Sequence, residues 1–349
     1  MEFIDLKTTA ASIADWYAKH KRDLPWRQGK DPYRIWISEI MLQQTRIEAV
    51  IPYYGRFLSE LPDVAALAAV PEDRLLKLWE GLGYYSRARN LKKAAQTVVQ
   101  EFGGQMPQTA AELRILPGIG EYTAGAIASI AFGEPEPAVD GNVMRVLARL
   151  SASKEDVMDA KVRKAAASRL REIYPAGEEA ALLTEGLMEL GERICIPNGT
   201  PLCGDCPCAG RCRGHALGIE AQLPVRAETK ARKIEEKTVL VLRCGDRYAL
   251  EKRPGTGLLA GLWGFPILDG SLTEDEIKAR FDAASVRPLG KAKHIFTHIE
   301  WHMEGYLVEC KEVSNCHWVT KEDIEADYSI PTAFKTYKKA LQYLQTMIL

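Results

Sequence analysis

The chain of 349 residues lacks a long hydrophobic run, and no stretch approaches the roughly 18 apolar residues that a membrane-spanning helix needs. It also lacks the pattern of a secretory signal, because MEFIDLKTTAAS carries acids where a basic region belongs and no apolar stretch follows. We therefore expect a cytoplasmic protein with no membrane partner. Disulfides are rare in that compartment, so we do not expect its eight cysteines to be paired.

The chain has little net charge, formally −1. A strongly basic nucleic-acid-binding domain has a pI above about 9, so this composition disfavours that class without excluding it. Local basic stretches such as RARNLKK exist, although composition alone favours a solvated helix face. Hydrophobic residues make up 46% of the chain and charged residues 27%, which at this length favours about two globular domains.

The first part of the chain, residues 5–225, is predicted to be mostly helical. In PEDRLLKLWEGLG, apolar residues recur at three- and four-residue spacing after Pro71, and glycines mark the end. The stretch RIWISEIMLQQTRIEAVIPYYGRFL is also predicted to be helical, with a break near Pro52.

After a charged segment at 226–236 that is predicted to be a linker, the pattern changes. TVLVLRCGDRYALEKR indicates a β-hairpin that turns at CGD. SLTEDEIKARF indicates a helix with Thr273 and Glu276 spaced as a capping box, and KHIFTHIEWHMEGYLVEC alternates like a strand. The second domain is therefore expected to be α+β.

A turn rich in proline and glycine lies within LPGIGEYTAGAIASIAFG, residues 116–133. Gly118 and Gly120 remove side chains that would keep another molecule away from the backbone. The following helix directs free N–H groups and its positive dipole end outward, which suits a phosphate. Taken alone, this stretch predicts an anion site and an ordinary helix–turn–helix corner about equally.

The cysteines concentrate in ICIPNGTPLCGDCPCAGRC, residues 194–212, where five of the eight occur. Clustered thiols in a reducing compartment bind metal more often than they form disulfides. The segment therefore predicts a metal-bearing loop.

These segments, in this order, resemble the helix-hairpin-helix superfamily of DNA repair glycosylases. Asp140 in EPAVDGNVMRV resembles the aspartate that follows the superfamily's Gly/Pro-rich loop. The cysteine loop is similar to the [4Fe–4S] loop of the endonuclease III and MutY branch, although its first gap is seven residues where six is usual. The resemblance implies the ligands Cys195, Cys203, Cys206 and Cys212 and leaves Cys208 as an extra thiol. Four thiolates also suit zinc, but the order of the motifs favours a [4Fe–4S] cluster.

WISEIMLQQTR and GLGYYSRARNL are similar to the MutY adenine glycosylases, and this resemblance covers nearly the whole chain. It implies an enzyme that hydrolytically removes adenine paired with 8-oxoguanine or guanine in double-stranded DNA, acting as a monomer. Endonuclease III carries a lysine nucleophile where Tyr122 stands here, so we expect no Schiff base and no β-elimination.

The resemblance implies a multidomain fold with an all-α helix-hairpin-helix core, an iron–sulfur loop and an α+β Nudix-like C-terminal domain. The catalytic domain is expected at 1–225, with a six-helix subdomain at 30–137 and an iron–sulfur subdomain from 1–29 and 138–225. The linker at 226–236 and the Nudix-like domain at 237–349 follow.

The same resemblance assigns the site residues, each of which would more often be structural if taken singly. Glu39 is expected to be buried, protonated and the acid at adenine N7, and Asp140 to stay ionised and stabilise the cationic sugar. Tyr122 and Asn142 are expected to hydrogen-bond these groups, and the adenine pocket to contain Trp26, Arg27 and Glu185. Contacts to the opposite base and to DNA are expected from Leu42, Gln44, Thr45, Tyr84, Gly118, Gly120, His294, Phe296, Thr297 and His298, and one of Tyr84 and Tyr85 is expected to pack in the core.

GLLAGLWGFP, residues 257–266, resembles the entrance to a Nudix, or MutT-like, domain, yet no REx2EE cluster follows to hold magnesium. We expect a domain that checks for 8-oxoguanine, with Phe296-Thr297-His298 where the family has a Phe-Ser-His loop. Three histidines at 294, 298 and 302 admit a metal site, but a polar strand face is favoured because no cysteine or acidic cluster completes one.

Two other functions stay open. A pyrimidine-lesion glycosylase and lyase of the endonuclease III type is disfavoured by Tyr122 and by the added C-terminal domain. A non-catalytic DNA-binding protein or redox sensor on the same scaffold is disfavoured by the presence of both Glu39 and Asp140.

Overall fold

The computed structural model describes residues 5–227 and 231–343, which form two compact units. The first unit contains the chain up to Val70 and the part from Asn90 to residue 227. The second contains Pro71–Arg89 and the chain from residue 231 onward. The predicted multidomain class, a helical core followed by an α+β domain, is confirmed. Pro71–Arg89 group with the second unit, whereas the sequence placed them in the first domain.

Helices account for the regular structure described before residue 227, as predicted. Several begin at an aspartate whose carboxylate accepts first-turn N–H groups, as Asp31 and Asp159 do. No helix among the described residues is long and apolar enough to cross a membrane. The helices are α1 (Leu6–His20), α2 (Pro32–Leu42), α3 (Ile47–Glu60), α4 (Val64–Ala69), α5 (Glu72–Leu78), α6 (Ser86–Glu101), α7 (Ala110–Leu113), α8 (Glu121–Phe132), α9 (Gly141–Ser151), α10 (Ala160–Arg171), α11 (Glu178–Arg193) and α12 (Arg213–Ala216).

The predicted break near Pro52 is wrong. α2 ends at Leu42 and α3 begins at Ile47, so the interruption falls at residues 43–46. α2 ends because Gln43 leaves helical geometry, with ψ of 112°, and Gln44 follows with left-handed backbone at φ of 58°. Pro52 lies inside α3, where its missing N–H removes one backbone hydrogen bond without ending the helix.

The part of the first unit that holds the cysteine loop packs around α9 and α11. Ile13, Leu147 and Leu190 come from α1, α9 and α11 and are almost fully buried in one apolar cluster. A Cβ placed on Gly191 would lie 2.8 Å from Cβ of Asn142, so the two helices touch closely there. This contact fixes the start of α9 against α11.

The second unit contains a mixed sheet in its described residues. The strand order is β3-β2-β1-β6-β5, β4 pairs with β1 and β7 with β2, and only the β1–β6 pairing among these is parallel. Apolar clusters cover both faces of the sheet. The elements are β1 (Lys233–Cys244), β2 (Arg247–Lys252), β3 (Trp263–Gly264), β4 (Ile267–Asp269), α13 (Glu274–Phe281), β5 (Ser285–Ile295), β6 (Ile299–Glu309), β7 (His317–Thr320), α14 (Lys321–Ala326) and α15 (Lys335–Tyr343).

Local expectations for the second unit are mostly confirmed. β1 and β2 form the predicted hairpin, with Gly245 at φ of 63° in the turn. Thr273 and Glu276 form the predicted capping box of α13. β1 begins at Lys233, inside the segment predicted as a linker. The stretch predicted as one strand is instead β5, a tight turn and β6, closed by the Phe296 N–H donating to the Ile299 carbonyl at 2.8 Å.

Candidate active site

A cleft of about 1040 Å³ opens in the first unit between the end of α2, the turn before α8, the start of α9 and one face of α11. All the elements that line it belong to the first unit. The predicted site residues that it brings together are Trp26, Arg27, Glu39, Leu42, Gln44, Thr45, Gly118, Gly120, Tyr122, Asp140, Asn142 and Glu185. The other predicted DNA-contact residues, Tyr84, His294, Phe296, Thr297 and His298, belong to the second unit.

Glu39 lies in the last turn of α2 with only 6% of its surface exposed. Its Oε2 accepts a hydrogen bond from the Tyr122 hydroxyl at 2.8 Å. Burial raises the pKa of Glu39 to about 7, against the Tyr122 hydrogen bond, which lowers it, and with the nearby Asp140 charge, which raises it further. A carboxyl group with such a pKa carries a proton in a large fraction of molecules at neutral pH and can act as a general acid.

Asp140 is the N-cap of α9. Its Oδ1 accepts the Val143 N–H at 2.7 Å, and its Oδ2 accepts from the Asn142 amide at 3.0 Å. Burial raises the pKa of Asp140, while these hydrogen bonds favour the charged form and lower it. The positive end of the α9 dipole also favours an ionised carboxylate at this position.

Arg145 is a buried site residue that sequence reasoning missed. Its Nη2 donates to Asn142 Oδ1 at 2.9 Å and to the Gly191 carbonyl at 2.6 Å, and its Nε donates to the Cys195 carbonyl at 2.7 Å. It therefore ties the partner of Asp140 to the cysteine loop. Two arginines, Arg145 and Arg149, recur four residues apart in the otherwise apolar GNVMRVLARLS, and this pattern could have drawn attention to them.

The residues of the predicted adenine pocket line the same cleft as Glu39. Arg27 is 10% exposed at its side chain, with Nε 3.6 Å from Glu185 Oε1 and Nη2 donating to Glu189 Oε2 at 2.8 Å. Burial raises the pKa of Glu185, and the Arg27 charge opposes that rise. Trp26 is buried, with its ring edge-on to Tyr54 at 5.4 Å. Sequence reasoning missed Glu189, which no short motif marks.

Three of the predicted DNA-contact residues have left-handed backbone. Gly118 has φ of 81°, and a Cβ there would lie 2.7 Å from Asn90 Cβ, so this position requires glycine. Gln44 has φ of 58° and Tyr84 has φ of 47°, conformations that cost a non-glycine residue about 1–3 kcal/mol. Strained residues of this kind cluster at active sites and ligand-binding sites. Tyr84 is 51% exposed, while its neighbour Tyr85 is 6% exposed.

The predicted Phe-Thr-His loop forms the turn between β5 and β6. The Phe296 ring stacks edge-on with His294 at 4.6 Å and with Trp301 at 4.9 Å. Thr297 and His298 are exposed at the tip of the turn. His302 lies within hydrogen-bond distance of Glu300, 2.7 Å away, so its ring is engaged by an acid on its own strand.

Cys195, Cys203, Cys206 and Cys212 line one small cavity of about 30 Å³, which is also lined by Arg149, His215 and Glu220. Cys208 is fully buried in the neighbouring apolar core and does not line that cavity. In the part of the chain that the structure describes, the one group of three or more possible ligands within 4.8 Å of one another is Cys203, His215 and Glu220. A zinc ion at about 2.3 Å from each thiolate needs sulfurs about 3.8 Å apart. Among the described residues, no three of the four sulfurs lie within 4.8 Å of one another.

Models of two protein families match the chain. Residues 37–172 match the HhH-GPD superfamily base excision DNA repair protein, and residues 238–340 match the NUDIX domain. The adenine DNA glycosylase of Homo sapiens is 32% identical, over 95% of this chain and 73% of that protein. The adenine DNA glycosylase of Buchnera aphidicola subsp. Baizongia pistaciae (strain Bp) is 33% identical, over 87% of this chain and 86% of that protein.

The chain belongs to the adenine DNA glycosylase family.

Solved structures of DNA glycosylases share the fold of this family member. A thermostable thymine-DNA glycosylase aligns with a TM-score of 0.55 and 28% identity, over 60% of this chain and 96% of that one. Endonuclease III in a non-covalent DNA complex aligns with a TM-score of 0.52 and 25% identity, over 61% of this chain and 96% of that one. The predicted enzyme class, an N-glycosyl hydrolase of base excision repair, is confirmed by membership in the adenine DNA glycosylase family.

Proposed function

We propose that this protein removes adenine paired with 8-oxoguanine or guanine from double-stranded DNA, by hydrolysis and without cleaving the strand. The observation that carries the proposal is that buried Glu39 and helix-capping Asp140 line the same cleft, with Tyr122 donating to Glu39. Two carboxyl groups in different environments suit the hydrolysis of a glycosidic bond.

In the proposed reaction the adenine nucleotide leaves the duplex, at a cost of a few kcal/mol, and enters the cleft. Glu39 gives its proton to adenine N7, so the C1′–N9 bond breaks and the neutral base leaves with the bonding electron pair. A water molecule then adds to C1′ of the sugar and gives its proton to the carboxylate of Glu39. Ionised Asp140, held by Asn142 and the start of α9, stabilises the positive charge that develops on the sugar. Tyr122 occupies the position after the hairpin at which a lysine would form a Schiff base, so strand cleavage is not expected.

The contacts to DNA are proposed from the turns. The N-terminus of α8, preceded by Gly118 and Gly120, presents unpaired backbone N–H groups that suit a phosphate. Gln44 and, independently, Tyr84 are each proposed to wedge beside the opposite base, because both side chains are exposed at turns. Leu42 and Thr45, on either side of the Gln44 turn, are proposed to touch that base. The Phe296-Thr297-His298 turn is proposed to contact 8-oxoguanine.

The cysteine cavity supports a [4Fe–4S] cluster held by Cys195, Cys203, Cys206 and Cys212. Such a cluster supplies a rigid covalent anchor for the loop, and hydrolysis requires no electron from it. Arg149 prepares this site: its Nη1 lies 3.3 Å from Cys195 Sγ, and its backbone carbonyl accepts from the Cys212 thiol at 3.4 Å. Hydrogen bonds of this kind orient metal-binding sulfurs.

The test is a single-turnover assay on duplexes that contain A·8-oxoguanine, A·G, A·T or an oxidised pyrimidine. We expect free adenine from the first two, and strand breaks only after alkali. Glu39→Gln should abolish release and retain duplex binding. Release of the oxidised pyrimidine, with a borohydride-trapped enzyme–DNA adduct, would instead support the endonuclease III type of activity. No release from any duplex, with duplex binding intact, would support the non-catalytic alternative.

A further inference from the structure

We propose that Glu189 is a positioning residue for adenine recognition: it holds Arg27 beside Glu185 and so sets the edge of the pocket that meets the adenine amino group. The inference deepens the proposed function and rests on it. Glu189 lies on α11, one turn after Glu185, and its side chain is fully buried.

Both carboxylate oxygens of Glu189 are engaged by arginines from the segment before α2. Arg22 binds it in a bidentate manner, with Nε 2.6 Å from Oε1 and Nη2 2.8 Å from Oε2. Arg27 Nη2 donates to the same Oε2 at 2.8 Å. Bidentate guanidinium–carboxylate pairs have fixed geometry, so Arg22 holds Glu189 in one orientation. Glu189 then offers Arg27 an acceptor at a fixed position.

Arg27 in turn lies between the two glutamates of α11. Its Nε is 3.6 Å from Glu185, and its guanidinium lies 5.2 Å from the centre of the Tyr17 ring. Like charges one helical turn apart repel each other, and Arg27 separates the two carboxyl groups. Without the charge of Glu189, Arg27 has one acidic partner left and is free to turn fully toward Glu185.

The pKa values of Glu189 and Glu185 are shifted in opposite directions, as expected if Glu189 is the anchor of Arg27. Burial alone would raise the pKa of Glu189, but the Arg22 hydrogen bond and the Arg27 charge hold its pKa below the ordinary value, so it stays ionised. Burial raises the pKa of Glu185, whose link to Arg27 is longer and weaker. Glu189 thus serves as the fixed anchor, and Glu185, whose pKa the neighbouring Tyr17 hydroxyl also lowers, lines the cleft where it can meet a ligand.

The ligand edge that fits is the one adenine presents beside N7, where N7 accepts a hydrogen bond and the N6 amino group donates one. Glu39 is the donor for N7, and Glu185 is an acceptor for the amino group. A shift of Arg27 toward Glu185 would occupy that acceptor. The damage from losing Glu189 should therefore depend on the presence of the amino group.

The experiment compares adenine with unsubstituted purine, which keeps N7 and lacks the amino group, each placed opposite 8-oxoguanine. Single-turnover rates are measured for wild type, Glu189→Gln and Glu189→Asp, with duplex affinity and melting temperature as controls for folding. We expect Glu189→Gln to slow adenine release about 10- to 100-fold, the usual effect of a displaced positioning group, and to change purine release by no more than about threefold. Glu189→Asp should recover most of the adenine rate.

Equal losses on both substrates, or no loss on adenine, would overturn the inference. If Glu189→Gln does not fold, Arg22→Gln serves instead, because the Arg22 side chain is 29% exposed and its removal frees one side of Glu189. Arg22→Gln should also slow adenine release more than purine release, although by a smaller factor. Equal effects on the two substrates would count against the role of Glu189. A wild-type protein that releases no adenine contradicts the proposed function itself, which the variants do not test.

Discussion

Glu39 is the residue through which pH should act on the reaction. In the proposed reaction it works in its protonated form, and burial raises its pKa to about 7. Below that pH the acid is present, and as pH rises through that value the acid is lost. We therefore expect the single-turnover rate of adenine release to fall as pH rises above about 7, approaching tenfold per pH unit. A rate that stays flat from pH 6 to pH 9 would exclude Glu39 as the acid.

Tyr122 supplies the matched control for that profile. Its hydroxyl donates to Glu39 and favours the ionised form, so this contact lowers the pKa of Glu39. Tyr122→Phe removes the donor and keeps the ring, and it should move the alkaline fall of the rate to higher pH. A fall that moves to lower pH would mean that Tyr122 stabilises the proton on Glu39.

Residues within short motifs could be predicted, and residues that act through distant partners could not. Glu39, Asp140 and Tyr122 each occur in a stretch whose local order is characteristic of the family. Arg145 reaches the carbonyl of Cys195, 50 positions along the chain, and Arg27 meets Glu189 across 162 positions. Only tertiary packing brings such partners together, at α9 in the first case and at α11 in the second, and no spacing in the sequence encodes it.

At the scale of elements, the turn between α5 and α6 places two neighbouring tyrosines in different environments. Tyr84 has left-handed backbone and is half exposed, whereas Tyr85 is buried and its hydroxyl accepts from Ser329 at 3.3 Å. Tyr84→Ala should change the free energy of unfolding by less than about 1 kcal/mol and weaken binding to a mispaired duplex about tenfold.

Tyr85→Ala is the matched control for Tyr84→Ala. It should lower the free energy of unfolding by about 3 kcal/mol, because it removes a buried aromatic ring. Chemical denaturation and duplex titration of both variants measure the two effects. The assignment of Tyr84 to DNA is contradicted if the two variants lose stability equally or if only Tyr85→Ala weakens duplex binding.

Secondary-structure elements could be predicted where a few neighbouring residues determine them. The capping box of α13 and the turn of the β1–β2 hairpin are both encoded within four or five residues. The β5–β6 turn was not predicted, because the alternation of apolar and polar residues continues through Phe296-Thr297-His298. This stretch contains no glycine, proline or asparagine to indicate a turn. The break after α2 escaped because glutamine, not glycine, takes the left-handed conformation at position 44.

At the scale of the whole molecule, composition indicated two domains, but the grouping of Pro71–Arg89 with the second unit depends on long-range contacts. Within that unit the Lys77 ammonium donates to the carbonyls of Ile324 and Tyr328, about 250 positions away. Such contacts arise only when the chain returns to its earlier part. The change in periodicity after residue 237 marked the new fold and gave no sign of this earlier segment.

The cysteine loop belongs to the long segment that follows α11 and packs against α9, whose first residues form part of the site. Substitution of individual cysteines tests whether this loop supports the site. Arg149 donates to the carbonyls of Ile196, Glu220 and Leu223, so the segment after α11 closes back onto α9. A cluster bound to four cysteines on this segment should hold it closed and support the start of α9. Loss of one ligand should therefore affect the fold well beyond the loop.

We expect Cys203→Ser to lose iron and the absorbance near roughly 400 nm that thiolate-ligated iron gives, to melt at lower temperature and to bind duplex more weakly. Cys208→Val is the matched control, because Cys208 packs in the apolar core and a similar-sized side chain there should cost less than about 1.5 kcal/mol and keep the colour. Iron analysis, absorbance and melting curves distinguish the two variants. A colourless wild-type protein that contains zinc would show that the four cysteines bind a zinc ion and not an iron–sulfur cluster. Loss of iron from Cys208→Val alone would show that Cys208, and not Cys203, is a ligand.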